Sequence, residues 1–140
     1  MPDKNLLNRK ITEILKQLEH LKILLKLKSV ELFDRANNFY FAERVMERMI
    51  GAAIDMNMHI VADLGGEVPK DYHSSFIDLA KYKILPLAFA KRIALSTTLR
   101  NLLVHEYQSM DEGKFKQALK FGFQDYKKYL EYIEKWLRKF

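Results

Sequence analysis

Residues 5–28 read NLLNRKITEILKQLEHLKILLKLK, and the fold turns on where their apolar members fall. Leu7, Ile11, Ile14, Leu18, Leu21 and Leu25 recur three or four apart. At about 100° per residue this spacing paints one stripe along a helix, whereas a half-buried strand would alternate strictly. The segment is therefore read as an amphipathic helix that needs a partner to cover its stripe.

Working outward, the same period continues to the other end of the chain. Ser29 can cap the next turn, and from about Ala36 the residues Phe39, Val45, Met49, Ala52, Ala53, Met56, Ile60 and Val61 carry a longer helix to Leu64. Gly65-Gly66 supplies its left-handed stop. Glu67-Val68-Pro69 reads as an extended linker, and Asp71 or Ser74 can cap a short helix bearing Phe76, Leu79 and Ala80. Pro86 suits the first turn of a helix through Phe89, Ile93, Leu95, Leu99, Leu102 and Leu103. Asp111 can cap a last helix from Glu112 to about Arg138, with Phe115, Leu119, Phe123, Tyr126, Leu130, Ile133 and Leu137 facing inward. No stretch alternates long enough to require a strand. The expected fold is all-α, an antiparallel bundle of four to five helices forming a single domain over residues 1–140.

Composition narrows the chemistry. The 140 residues, 49% hydrophobic and 30% charged, suffice for one core and leave no room for a second. There is no cysteine, so disulfides, thiol nucleophiles and cysteine metal sites are excluded. The opening MPDKNLLNRK lacks the apolar run of a signal peptide, and the longest unbroken apolar stretch, Ile84 to Ala90, is seven residues including Pro86. A soluble cytoplasmic protein without membrane association is expected. The net charge of +6 is compatible with a polyanionic partner and equally with ordinary solubility. Lys114, Lys116, Lys120, Lys127, Lys128, Lys135, Arg138 and Lys139 would be spread around the last helix, as on a solvated face.

Several residues invite functional stories that have plainer readings. Asp55 and His59 share a helical face, but two ligands do not complete a metal site. His20 reads as a surface residue and His73 as part of a helix start. Met46, Met49, Met56 and Met58 fall at helical spacing, as core or interface filler does. Glu43, Arg44, Glu47 and Arg48 look like charge pairs on an exposed helix.

Residues 100–107, RNLLVHEY, differ because they thread an arginine, a histidine and a tyrosine through an apolar triplet. On a continuous helix Arg100 and Tyr107 share a face, whereas Arg100 and His105 are separated by about 140°. Convergence of those two requires an irregular helix end or a second copy of the motif from a two-fold related subunit. Asn101, four before His105, lies on the histidine's side and can orient its ring or donate to a phosphate. The plain alternative is that Arg100 and His105 satisfy carbonyls near a helix C-terminus.

The segment R-N-x-x-V-H-x-Y resembles the Arg-x4-His-x-Tyr signature of the HepT family of HEPN-domain toxins. The likeness extends upstream to AAIDMNMHI at 52–60 and LGGEVP at 64–69. One departure is Thr98-Leu99, where many members have Gly-Phe before the arginine. The resemblance implies an all-helical HEPN-like homodimer in which arginine and histidine from two subunits line a cleft.

It further implies a ribonuclease, independent of metal or other cofactor, that acts as the toxin of a type VII-like toxin–antitoxin pair. Arg100 and His105 are then the catalytic residues, with Asn101 in support. Tyr107 is then the acceptor for AMP groups added by a minimal nucleotidyltransferase antitoxin, with which the dimer can form a higher-order complex. The residue types suit the work: an imidazole with an ordinary pKa near ~6.5 exchanges protons around neutrality, and a guanidinium forks onto phosphate oxygens. The alternative is a non-catalytic helical dimer module that binds a nucleotidyltransferase partner or a nucleotide.

Overall fold

A computed structural model describes residues 2–34, 37–105 and 112–140, with the backbone course alone for 102–105. Helix α1, Lys4–Leu24, is capped by Asp3, whose carboxylate accepts the Leu6 N–H at 3.1 Å. It buries Leu7, Ile11, Ile14, Leu18 and Leu21 as expected, but its last buried contact is Leu24 rather than Leu25. The single turn α2, Ser29–Leu32, follows. Ser29 is its first residue and not its cap; Lys28 holds that place, and the Glu31 carboxylate accepts the Lys28 N–H at 3.2 Å.

Helix α3, Asn38–Asp63, is the axis of the molecule. It packs on α1, α2 and the helices that follow. It buries on several sides because its apolar residues exceed one stripe: Phe39, Val45, Met46, Met49, Ala53, Met56, Ile60 and Val61 are all enclosed. The pairs Arg48–Glu13 at 2.7 Å and Lys10–Asp55 at 2.9 Å run in opposite sequence directions, so α1 and α3 are antiparallel. The reading of residues 43–48 as charge pairs on an exposed helix holds for Arg44 and Glu47, which pair at 3.8 Å, and is corrected for the other two. Glu43 is buried, and Arg48 reaches across to α1 instead of along its own helix. Gly65 ends α3 at φ 76°, in the left-handed region that side chains avoid. At Gly66 a Cβ would fall 2.2 Å from the Tyr82 hydroxyl and 2.9 Å from Val61 Cγ1, so the bare backbone lets this loop close on the helix behind it.

Helix α4, Tyr72–Lys81, is capped by Asp71, which accepts the Ser74 N–H at 2.7 Å. The single helix expected from Pro86 to Leu103 is two, α5 (Leu87–Ala94) and α6 (Ser96–His105), with Pro86 at the N-cap of the first. The break has a local cause. Ser96 Oγ donates to the Ile93 carbonyl at 2.7 Å and Thr97 Oγ1 to the Ala94 carbonyl at 2.8 Å. These side chains take acceptors at the junction, while the Leu95 and Thr98 amides bond three residues back instead of four.

Helix α7, Glu112–Leu137, closes the bundle against α1 and α3. Its inner face is wider than the period suggested, since Gly122, Tyr129 and Trp136 are buried beside Phe115, Leu119, Tyr126, Leu130 and Ile133. Phe123 and Leu137 are only partly covered. The expected cap Asp111 lies outside the described residues. Among the described residues there is no strand, and no helix is long and apolar enough to cross a membrane.

Candidate active site

Helix α6 carries the backbone of Arg100, Asn101 and His105 on one regular turn system. The helix therefore persists across the whole interval that had to bend if one copy were to bring arginine and histidine together. Asn101 is exposed. The His105 side chain and all of Tyr107 lie outside what is described.

Arg100 is half-buried, and its guanidinium lies over the ring of Tyr72 with the carbon 5.4 Å from the ring centroid, inside cation–π range. Its Nε is buried and meets no hydrogen-bond acceptor among the described residues. An enclosed donor left without an acceptor costs on the order of 1–3 kcal/mol. The guanidinium thus lies over an aromatic ring while its Nε stays unsatisfied.

Tyr72 is itself anchored from behind. Buried Ser75 Oγ donates to the Tyr72 carbonyl at 2.7 Å, and Asn57 Nδ2 on α3 donates to Ser75 Oγ at 3.1 Å. Tyr129 on α7 donates to Asn57 Oδ1 at 2.6 Å, with the Ala53 carbonyl at 3.3 Å within reach of the same proton. Phe76, one residue on from Ser75, stacks edge-on against Tyr129 at 5.8 Å. A chain of hydrogen bonds therefore runs from α7 through α3 into the first turn of α4. Burial drives the Tyr129 phenol well above its ordinary pKa and pushes the Tyr126 phenol up likewise, so both stay protonated donors. Tyr126 meets Ser96 Oγ at 2.7 Å, tying α7 to the start of α6.

The other polar residues have structural roles, though not in every case the one their spacing suggested: Asp55 pairs with Lys10 and not with His59. His59 is exposed. His20 is half-buried against Phe41, ring centroids 5.0 Å apart, a little deeper than a surface residue. His73 sits exposed in the first turn of α4. Among the described residues no group of three or more His, Asp or Glu side chains could hold a metal ion. Met46, Met49 and Met56 are core, and the lysines of α7 lie on its outer face. Tyr72, Asn57, Ser75 and Tyr129 carried no sign of partnership in the sequence. The only hint was that Asn57 interrupts an apolar run on a helix needing cover on several sides.

The family model described as ribonuclease HepT-like matches residues 14–133. The curated tRNA nuclease HepT of Aphanizomenon flos-aquae (strain 2012/KM1/D3) is 37% identical over 123 residues, covering 86% of this chain and 82% of that protein. Among solved structures, a toxin–antitoxin complex with AMP-PNP superposes with a TM-score of 0.86 at 18% identity, over 94% of this chain and 98% of that one. A tri-AMPylated HEPN toxin from Shewanella oneidensis in complex with its MNT antitoxin gives 0.84 at 18% identity, over 96% and 99%. At these identities the superpositions establish the shared all-helical fold.

Proposed function

The chain belongs to the HepT-like ribonuclease family and is an endoribonuclease by that membership; we propose that it is the toxin of a toxin–antitoxin pair and cleaves RNA at a site built from Arg100 and His105. The observation that carries the residue assignment is the buried, unsatisfied Nε of Arg100, on a guanidinium already held against Tyr72. A phosphate oxygen is the acceptor that suits this guanidinium, whose side chain is only half-buried although its Nε is enclosed, and the charge the oxygen gains in a pentacoordinate transition state makes the bond stronger there than in the ground state.

His105 takes the proton of an internal 2′-hydroxyl as that oxygen bonds to phosphorus. As the P–O5′ bond breaks, the imidazolium returns a proton to the leaving oxygen, and a 2′,3′-cyclic phosphate remains. Asn101, exposed on the same helix, supports the phosphate or the imidazole. None of these roles calls for a metal ion. A transfer RNA is the substrate class suggested by the relative from Aphanizomenon flos-aquae.

The regular helix from Arg100 to His105 supports a composite site in a homodimer, because about 140° separates the two positions within one copy. An open apolar groove of about 340 Å³ between α5–α6 and α7 adjoins Arg100 through Leu99. Leu95 and Phe121, 63% and 51% exposed, stand on it as surface a second copy can cover. Tyr107, two residues beyond His105, is assigned as the acceptor of AMP from a nucleotidyltransferase antitoxin. Phosphates placed there would compete with RNA for the same cations. The relative from Shewanella oneidensis, AMPylated and bound to its antitoxin, supports this arm.

The test is expression of wild type beside His105→Ala, Arg100→Ala and Tyr107→Phe. Wild type should arrest growth and both alanine variants should not, while helical content and dimer mass stay unchanged. Tyr107→Phe should remain toxic and escape the antitoxin. Equal toxicity of wild type and His105→Ala, or a monomer at micromolar concentration in sedimentation, contradicts the reading.

A further inference from the structure

We propose that Tyr72 is a positioning residue for Arg100, holding the guanidinium over its ring so that the donors left without a partner are preset for the phosphate. The inference rests on Arg100 being the phosphate-binding cation, and it names the device that aims it.

A guanidinium is planar with five N–H donors around its rim, so a partner stacked on its face restrains the group without consuming a donor. A carboxylate would restrain it too, but would occupy the fork a phosphate needs. Around Arg100 the restraint is aromatic: the guanidinium carbon lies 5.4 Å from the centroid of the Tyr72 ring, and no described acceptor meets Nε. A long arginine left to itself explores many rotamers, and ordering it at the moment of reaction would add to the barrier. The ring does that ordering beforehand.

The ring is a useful clamp because its own backbone is fixed. The Tyr129–Asn57–Ser75 hydrogen bonds end on the Tyr72 carbonyl, and the Asp71 cap sets the first turn of α4. Tyr72 is nonetheless 46% exposed, an unusual place for so much anchoring if the ring only filled a core. Its hydroxyl makes none of these contacts; the ring and the main chain do.

The experiment pairs a structural readout with an activity readout on the full-length protein. In wild type the Arg100 Nε–Hε resonance, assigned by its loss in Arg100→Lys, should be shifted by the ring current of Tyr72. Tyr72→Phe should keep that shift and cleave unfractionated transfer RNA within about two-fold of wild type. Tyr72→Leu should lose the shift and about ten-fold in kcat, or about 1.4 kcal/mol, with KM within about two-fold and an unchanged far-UV spectrum. A resonance that does not move in Tyr72→Leu overturns the proposal, as does wild-type kcat in that variant. A loss confined to KM also overturns it, because the ring would then be touching RNA rather than aiming the arginine. Should wild type and Arg100→Ala behave alike toward RNA and toward growth, the ribonuclease assignment of Arg100 fails, while the resonance still decides whether Tyr72 holds it. Should Tyr72→Leu fail to fold, Tyr72→Gln supplies the ring-less variant on the same two readouts.

Discussion

Removing one oxygen atom tests the buried chain behind the site. Tyr129→Phe keeps the ring, its contact with Phe76 and nearly all of its buried volume, and deletes only the hydroxyl that donates to Asn57 Oδ1 at 2.6 Å. Asn57 is wholly enclosed, so no water reaches its oxygen to replace the lost donor. The cost is then the desolvation of an orphaned acceptor, roughly 1–3 kcal/mol, rather than the smaller net value of an average hydrogen bond. At about 3–4 °C per kcal/mol for a chain of this length, the melting temperature should fall by about 3–12 °C.

Adding Asn57→Leu removes the orphan, so the double variant should be less destabilised than the sum of the two single ones. The same hydroxyl has an alkaline signature. Burial raises the folded-state pKa of Tyr129 and of Tyr126, so the stability each contributes is complete below the unfolded-state value near ~10 and is lost as pH rises through the folded-state value. Each phenol then contributes a progressive fall in stability as pH rises above ~10. Tyr129→Phe should remove one of these two contributions. Urea unfolding at pH 7, 9, 10 and 11 measures both effects. A change below ~0.5 kcal/mol at pH 7, or an alkaline slope identical to that of wild type, would refute the reasoning.

Other positions give shorter tests by thermal and urea unfolding. Gly65→Ala forces a side chain into φ 76° and should cost about 1 kcal/mol, with Gly65→Asn costing less. The Arg48 side chain's hydrogen bond is the main reason the Glu13 carboxyl sits below its ordinary value. The stability it contributes is therefore present above the ordinary carboxyl value of 4.5 and is lost as pH falls through the lowered value; Arg48→Ala should flatten that acid limb. Asp71→Ala should lower the melting temperature by freeing the Ser74 N–H, while Asp71→Asn keeps most of the cap.

How much of this was legible in advance differs from element to element. The stripe Leu7, Ile11, Ile14, Leu18, Leu21 fixed α1, because one buried face on a helix imposes a period that no strand shares. Gly65 marked the end of α3, and Asp71 was one of two caps open for α4, because backbone conformation and capping are local properties of those residue types. The segment 100–107, together with its upstream companions, was sufficient to indicate the family.

Tertiary structure decided the rest, since contacts between residues far apart in sequence leave no local period. The break at Leu95 lay within a run that fits one helix by spacing, and the Ser96 and Thr97 hydroxyls became its cause only through the acceptors they found. The breadth of the buried face of α7, with Tyr129 inside, depends on α7 packing against both α1 and α3. The surroundings of Arg100 lay further still from any motif. The sequence supplied the arginine, but the ring that covers it comes from 28 positions upstream on another helix, through a hydrogen-bond chain that draws on α7, α3 and α4. A sequence records which side chains are available, and only the packing of these helices selects which of them face one another.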